Sequence, residues 1–434
     1  MQFYSTNNSD NRVGLEEAVR RGLPADKGLF MPEEIPQLPD SFFERLSSLS
    51  IAEIGYEVLR PYVKDVVADN VLAEICNDAF SFALSMPAIK ENVYALELYH
   101  GPTLAFKDFG ARFMARLLGH FNASNNGKNT ILVATSGDTG SAVANGFYGV
   151  KNVEVIILYP QGKVSDLQEK QMTTLGKNIQ ALAIDGTFDD CQRLVKTAFL
   201  DQALSEKYGL TSANSINLAR LLPQMIYYFY AYGQVASKNK PVVFSVPSGN
   251  YGNLSAGMIA KKMGLPIDHF IAAANANDIV PQYLTTGNYQ PRPSIETISN
   301  AMDVGDPSNF VRLQDIFKHN LSDFQAEVRG YSYSDAQTRE TMHAVNEELN
   351  YVLDPHGAIA YRALQEYLKD DEATGIFLET AHPIKFRGEV EPIIGHTLEV
   401  PEALKAVLEA KKIAHPCGAD YDGFKAMLNK VLDA

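Results

Sequence analysis

The stretch ILVATSGDTGSAVANGFYG, residues 131–149, decides the fold class. Ile131-Leu132-Val133 is a continuous apolar run, the pattern of a strand covered on both faces. Glycines and small hydroxyl side chains follow from Thr135 to Gly140. The spacing beyond them predicts a helix over 140–148. Strand, glycine-rich turn and helix recur along the chain, which predicts α/β layers around a mostly parallel sheet. Candidate strands lie at 93–99, 130–135, 153–159, 179–184, 242–246, 270–274 and 375–379. Candidate helices between them span 108–121, 140–148, 165–175, 188–207, 218–236 and 254–263.

Outside this pattern, residues 1–90 read as mostly helical after a short start, with helices at 14–21, 40–49 and 51–59 and prolines at 24, 32, 36 and 39. Residues 275–333 are rich in Pro, Asn, Ser and Gly and receive no assignment beyond a long excursion near a site or between layers. Helices resume at 335–349 and 356–368, and the last are expected at 401–411 and 421–432.

At 434 residues with 46% hydrophobic types, the chain can bury more than one core, and length suggests about two or three domains. A formal net charge of −14 disfavours nucleic acid as a partner, although a local cluster of donors can still hold a small anion. Cys76, Cys191 and Cys417 are far apart and form no CxxC pair. Buried reduced thiols are expected, with neither a metal site nor a disulfide. No secretory signal and no run of about 18 apolar residues is found, so no membrane partner and a cytoplasmic location are expected. The apolar, tyrosine-rich stretch 225–235 reads as a buried helix.

Ligands in open α/β sheets bind beyond the carboxyl ends of strands, so the turns that follow strands are examined first. In HGPTLAFKDFG, residues 100–110, Lys107 would sit at a helix start. Helix-end charge and desolvation both lower an amine pKa there and make it a usable nucleophile. The plain alternative is an exposed lysine at a helix end. In ATSGDTGSA, 134–142, backbone N–H groups and hydroxyls form an anion cradle, unless Ser136, Asp138 or Thr139 merely caps the helix. In PSGNYGNLSAG, 247–257, Gly249 and Gly252 allow close backbone approach, and Ser248, Asn250 and Asn253 add donors. That turn has neither a GK[ST] ending nor GxGxxG spacing, so it suits a phosphate monoester held without a metal. Asn214-Ser215-Ile216-Asn217 running into Arg220 offers a second phosphate grip, or only a capped helix with a surface arginine. Thr380 and His382 end the last apolar strand.

A reactive lysine, a monoester cradle and a second anion cradle together suggest pyridoxal phosphate acting on an amino acid. HGPTLAFKDFGARF at 100–113 resembles the cofactor-lysine segment of threonine synthases. ATSGDTGSA at 134–142, SGNYGN at 248–253 and ETAHPIKF at 379–386 are similar to the same family, as are Tyr4-Ser5-Thr6 and residues 26–30. The resemblance runs from about residue 1 to 420. It implies a fold type II, tryptophan synthase β-like α/β architecture, with two three-layer domains around a cleft and a mostly helical N-terminal region. The implied division is 1–92 for that region, 93–122 with 238–434 for the larger cofactor-binding domain, and 123–237 for the smaller one. Lys107 would bind the cofactor aldehyde and move protons as general acid and base. Ser248, Gly249, Asn250, Tyr251, Gly252 and Asn253 would hold the cofactor phosphate, and Thr380 the pyridine nitrogen. Ser136, Thr139 and Gly140 would receive the substrate carboxylate. Asp138 falls where relatives of the fold place an asparagine, and its charge is awkward there. Asn214, Ser215, Asn217 and Arg220 would bind the substrate phosphate.

The implied activity is the last step of threonine biosynthesis. Phosphate leaves Cγ of O-phospho-L-homoserine, water adds at Cβ, and reprotonation gives L-threonine. A monomer or homodimer is expected. The nearest rival is a serine/threonine dehydratase or a cysteine synthase, which would need no second phosphate grip. A non-catalytic homologue is a further rival, against which stand the retained Lys107 and both glycine-rich loops. A scaffold role would leave three such turns unexplained.

Overall fold

The structure is a computed structural model describing residues 1–125, 128–236 and 240–433. Fourteen strands form three sheets among these residues. The first sheet is antiparallel, with β1 (Gln2–Ser5) between β2 (Asn8–Gly14) and β3 (Phe30–Pro32). The short start of the N-terminal region is this sheet, with the expected helix, Leu15–Arg21, between β2 and β3. Helices Asp40–Arg45, Ile51–Val63 and Asp69–Ala79 follow.

The second sheet holds β4 (Ala88–Lys90), β5 (Val93–Glu97), β10 (Val242–Pro247), β11 (His269–Ala274), β12 (Val328–Ser332) and β13 (Thr374–Glu379). Their order is β12-β11-β10-β13-β5-β4, and only β4 runs antiparallel. Every residue of β10 and β13 is buried, which is why apolar residues dominate both, with Ser245, Thr374 and Glu379 as buried polar exceptions. The third sheet is wholly parallel. It holds β6 (Asn129–Ala134), β7 (Val153–Pro160), β8 (Ile179–Asp185), β9 (Leu210–Ser212) and β14 (His415–Gly418), in the order β14-β8-β7-β6-β9.

All seven expected strands are present within a residue or two. The expected division needs one correction, because residues 415–418 were placed with the larger domain. His415–Gly418 instead pairs with Leu182–Asp185 of the third sheet. Helix Tyr421–Leu432 buries Phe424 and Leu428 against the same core as Cys191 and Leu194. The expected boundary at 237–238 lies outside the described residues. The single helix expected at 188–207 breaks at Asp201, whose carboxylate accepts the Leu204 N–H to start a new helix.

Helix Ile226–Val235 is buried on nearly every side, as expected, and no helix among the described residues is long and apolar enough to cross a membrane. The three cysteines are free and buried. Residues 275–333 contain helices Ile279–Thr286, Phe310–Ile316 and Leu321–Glu327 before β12. Between the first two, side chains replace backbone ladders. Asn275 donates to Thr297 and Asp303, and Asn277 donates to the Ile295 carbonyl and accepts its N–H.

Candidate active site

Strands β5, β13 and β10 are neighbours, so the loops after them converge. The lysine loop and the loop after β13 are joined directly. Ala105 and Ala381 form an antiparallel bridge, Phe106 N–H donates to the Thr380 carbonyl at 2.9 Å, and His382 N–H to the Leu104 carbonyl at 3.0 Å. Lys107 opens helix Lys107–Asn125, and only 18% of its side chain is exposed. It is not a surface lysine. Burial pushes its pKa down; Asp138 opposes that, and Lys385 and Arg220 reinforce it.

Asp138 begins helix Asp138–Phe147 across the cleft, its Oδ2 4.0 Å from Lys107 Nζ. Its Oδ1 accepts from Lys385 Nζ at 3.0 Å and from Gln168 Nε2 at 2.9 Å. Burial alone would raise its pKa, but the two lysines and the Gln168 hydrogen bond more than reverse this, so the carboxylate stays ionised. The Gln168 contact depends on Gly137, where φ is +136° and a Cβ would come within 2.4 Å of the Gln168 side chain. Neither Ser136, Asp138 nor Thr139 caps this helix; Gly137 holds the cap position. Thr135 Oγ1 instead accepts the N–H groups of Gly137 and Gly140, both at 2.9 Å. Gly140 therefore contributes room and no free donor.

Arg220 lies under the lysine helix. A Cβ on Gly110 would meet Arg220 Nε at 2.9 Å and its carbonyl at 2.6 Å, so only glycine admits the arginine there. The guanidinium is buried and donates to the Ala213 carbonyl at 2.5 Å, while its Nε has no partner. It makes no ion pair with a carboxylate among the described residues, and burial pushes its pKa down to about 10.

The loop after β10 is braced from 214–217 and from 308–312. Asn250 Nδ2 donates to Ser215 Oγ at 2.7 Å, and Ser308 N–H to Asn250 Oδ1 at 2.6 Å. Asn309 Nδ2 also reaches Ser215 Oγ at 3.1 Å. Arg312, fully buried, donates to the carbonyls of Ser215, Ile216 and Phe30.

The full length of the chain resembles proteins of one kind. A family model described as pyridoxal-phosphate dependent enzyme matches residues 81–378. Models described as threonine synthase N terminus and threonine synthase, C-terminal, match 2–80 and 357–428. The threonine synthase of Haemophilus influenzae is 47% identical over 99% of this chain and 100% of its own. The crystal structure of threonine synthase from Escherichia coli superposes with a TM-score of 0.92, at 43% identity, over 99% of this chain and 100% of that one. A pyridoxal-phosphate-bound threonine synthase from Brucella melitensis gives 0.94 at 33% identity, covering both chains fully.

The chain belongs to the threonine synthase family.

Its activity is threonine synthesis, and its cofactor is pyridoxal phosphate. The residues present fit that group. A threonine synthase needs a buried, deprotonable amine, which Lys107 would supply, and donors for a phosphate monoester. Asn253, at the start of helix Gly252–Lys262, accepts at Oδ1 from Tyr227 and Tyr228 and leaves a buried Nδ2 without a partner. Tyr251 precedes that helix in the left-handed region, with φ of +59°, a strained conformation for a bulky residue. Ser248 donates to the Val246 carbonyl and keeps only acceptor capacity. Thr380 is nearly buried, and its carbonyl holds Phe106 beside Lys107.

One expected ligand of this threonine synthase is corrected. Asn217 is fully buried, with Nδ2 donating to Val19 and Ser212 and Oδ1 accepting from Ala219, so it has nothing left for a phosphate. It caps helix Leu218–Leu221 and ties the loop to the N-terminal region. Asn217→Ala is expected to cost about 1–3 kcal/mol through the lost cap and anchors. Thermal unfolding would show it, with KM changed by less than about twofold; a KM rise above tenfold would restore Asn217 as a ligand.

Sequence reasoning quoted Lys385 but gave it no role, and it missed Thr135, Gln168, Asn309 and Arg312. Each is an ordinary polar residue whose significance lies in partners distant in sequence. His382 behaves as a structural residue: Nδ1 accepts Ile384 N–H at 3.1 Å, and burial pushes its pKa down to about 4.

Proposed function

We propose that the substrate is O-phospho-L-homoserine, bound in a cleft between a unit built on the six-stranded sheet and one built on the five-stranded sheet. The observation that carries this reading is Arg220. A buried guanidinium that has no ion-pair partner among the described residues, and that is electrostatically coupled to Lys107, is a site that an anionic group would complete. An uncharged leaving group would leave that cation unpaired.

In this reading Lys107 is the catalytic residue and carries the proton between Cα and its own nitrogen. Ser248, Gly249, Asn250, Tyr251, Gly252 and Asn253 hold the cofactor phosphate, largely through backbone N–H groups, since the Asn250 side chain is committed to Ser215 and Ser308. Thr380 faces the ring nitrogen. When bound, pyridoxal phosphate supplies an electron sink for the charge developed at Cα. Ser136, Thr139 and the helix start at Asp138 receive the substrate carboxylate, with Gly140 providing close approach. Asn214, Ser215 and Arg220 hold the phosphate that leaves Cγ; Asn214 also donates to the Ala134 carbonyl at 3.2 Å, joining this loop to β6.

The test compares two products. Purified enzyme with pyridoxal phosphate should release phosphate from O-phospho-L-homoserine with one threonine formed per phosphate. Faster ammonia release from L-threonine than phosphate release from the ester would replace this reading with a dehydratase.

A further inference from the structure

Lys385 is completely buried, and its nitrogen has three acceptors: the Thr103 carbonyl at 2.8 Å, Gln171 Oε1 at 3.0 Å and Asp138 Oδ1 at 3.0 Å. Three acceptors around one nitrogen demand three N–H bonds, so the group is an ammonium. The supporting frame is itself tied down. Gln171 Nε2 donates to the same Thr103 carbonyl, and Thr103 donates from its N–H and hydroxyl to Asp108. Asp138 shares its carboxylate between the two lysines, with Oδ1 on Lys385 and Oδ2 toward Lys107. The row Lys385–Asp138–Lys107 is drawn from the loop after β13, the helix after β6 and the helix after β5.

An aspartate beside a cofactor lysine needs a counter-ion when both are out of water. Lys385 is that counter-ion, and its position answers why a charged residue is tolerated at 138. The other charged groups that face Lys107 are Arg220, from below its helix, and Asp354, from the start of helix Pro355–Tyr367. Asp108 faces Lys385, and its own pKa is pushed up to about 6 by burial.

We propose that Lys385 is a positioning residue for the reaction: paired with Asp138 on the side away from Lys107, it offsets that carboxylate, and the balance of the two charges sets whether the nitrogen of Lys107 carries a proton. This rests on Lys107 being the cofactor lysine. Asp138 favours the proton, whereas Lys385 and Arg220 disfavour it. Removing the anion alone and removing the cation alone therefore act in opposite directions, and removing both largely cancels. A residue that only fills space would not produce that pattern.

The experiment is a pH titration of the visible absorbance of the holoenzyme for wild type, Asp138→Asn, Lys385→Met and the double variant. The Asp138→Asn midpoint should fall by about one pH unit or more, and the Lys385→Met midpoint should rise, since one unit is a tenfold change in proton affinity. The double variant should lie between the two singles. If Lys385→Met does not fold, the double variant against Asp138→Asn decides, with a higher midpoint expected in the double. Equal midpoints in those two would overturn the inference, as would an Asp138→Asn midpoint equal to wild type. A protein that acquires no visible band at all would instead refute Lys107 as the cofactor lysine.

Discussion

Lys107→Ala should yield a folded protein without the visible band of the cofactor–lysine linkage, and turnover should fall by at least ~10⁴-fold. The loss is large because one side chain serves as both covalent anchor and proton carrier, and the second role alone contributes about 10²–10⁴-fold. Folding should survive. Lys107 is a desolvated amine, and Asp138 keeps Lys385 and Gln168 when it is gone. Removing a buried amine whose neighbour stays paired is expected to change stability by no more than about 1 kcal/mol. Absorbance before and after borohydride, with mapping of the modified peptide, checks the anchor, and steady-state turnover checks the chemistry. Full activity in the variant, or reduction onto another lysine, would remove the basis of the mechanism.

Arg220→Met should lower kcat/KM for O-phospho-L-homoserine by about 10²–10⁴-fold, the scale of losing a buried charged hydrogen-bonding partner. The visible band should remain, because Lys107 is untouched. The substitution should also be neutral or slightly stabilising, since it removes a buried cation that has no direct ion pair among the described residues and only the more distant Asp108 to offset its burial. Its effect on Lys107 has a definite sign: with one repelling cation gone, the amine holds its proton to higher pH. Kinetics with the ester, together with inhibition by inorganic phosphate, separates phosphate binding from general damage. An unchanged kcat/KM would place the leaving group elsewhere.

The parallel strands were legible because a strand covered on both faces is mostly apolar. Ile131–Val133 and 242–246 read as strands because each is a short β-branched run that ends at a glycine-rich turn. What was not legible has a common cause. Leu210–Ser212 and His415–Gly418 are too short, and the latter too polar, to signal a strand; they exist because a neighbouring strand offers a free edge. Residues 288–308 carry no periodicity because Asn275, Asn277, Thr297 and Asp303 satisfy the backbone in place of a ladder. At the site, sequence placed Lys107, Asp138 and Arg220 in three separate turns, and the structure brings them together. It could not distinguish Asn217, spent on its own helix and on Val19, from Ser215, which carries the bracing of Asn250 and Asn309. The charge at Asp138 looked awkward only because its partner lies 247 positions away, at Lys385.

The pairing of β14 with β8 orders events during synthesis. The outer edge at Ile179–Asp185 emerges from the ribosome long before the strand that covers it. At roughly 5–20 residues per second, that edge waits on the order of tens of seconds for its partner. The nascent chain thus carries an open strand edge while most of the six-stranded sheet is still being made. The sheet whose strand β6 leads into Asp138 closes its outer edge only after residues 415–418 have been made.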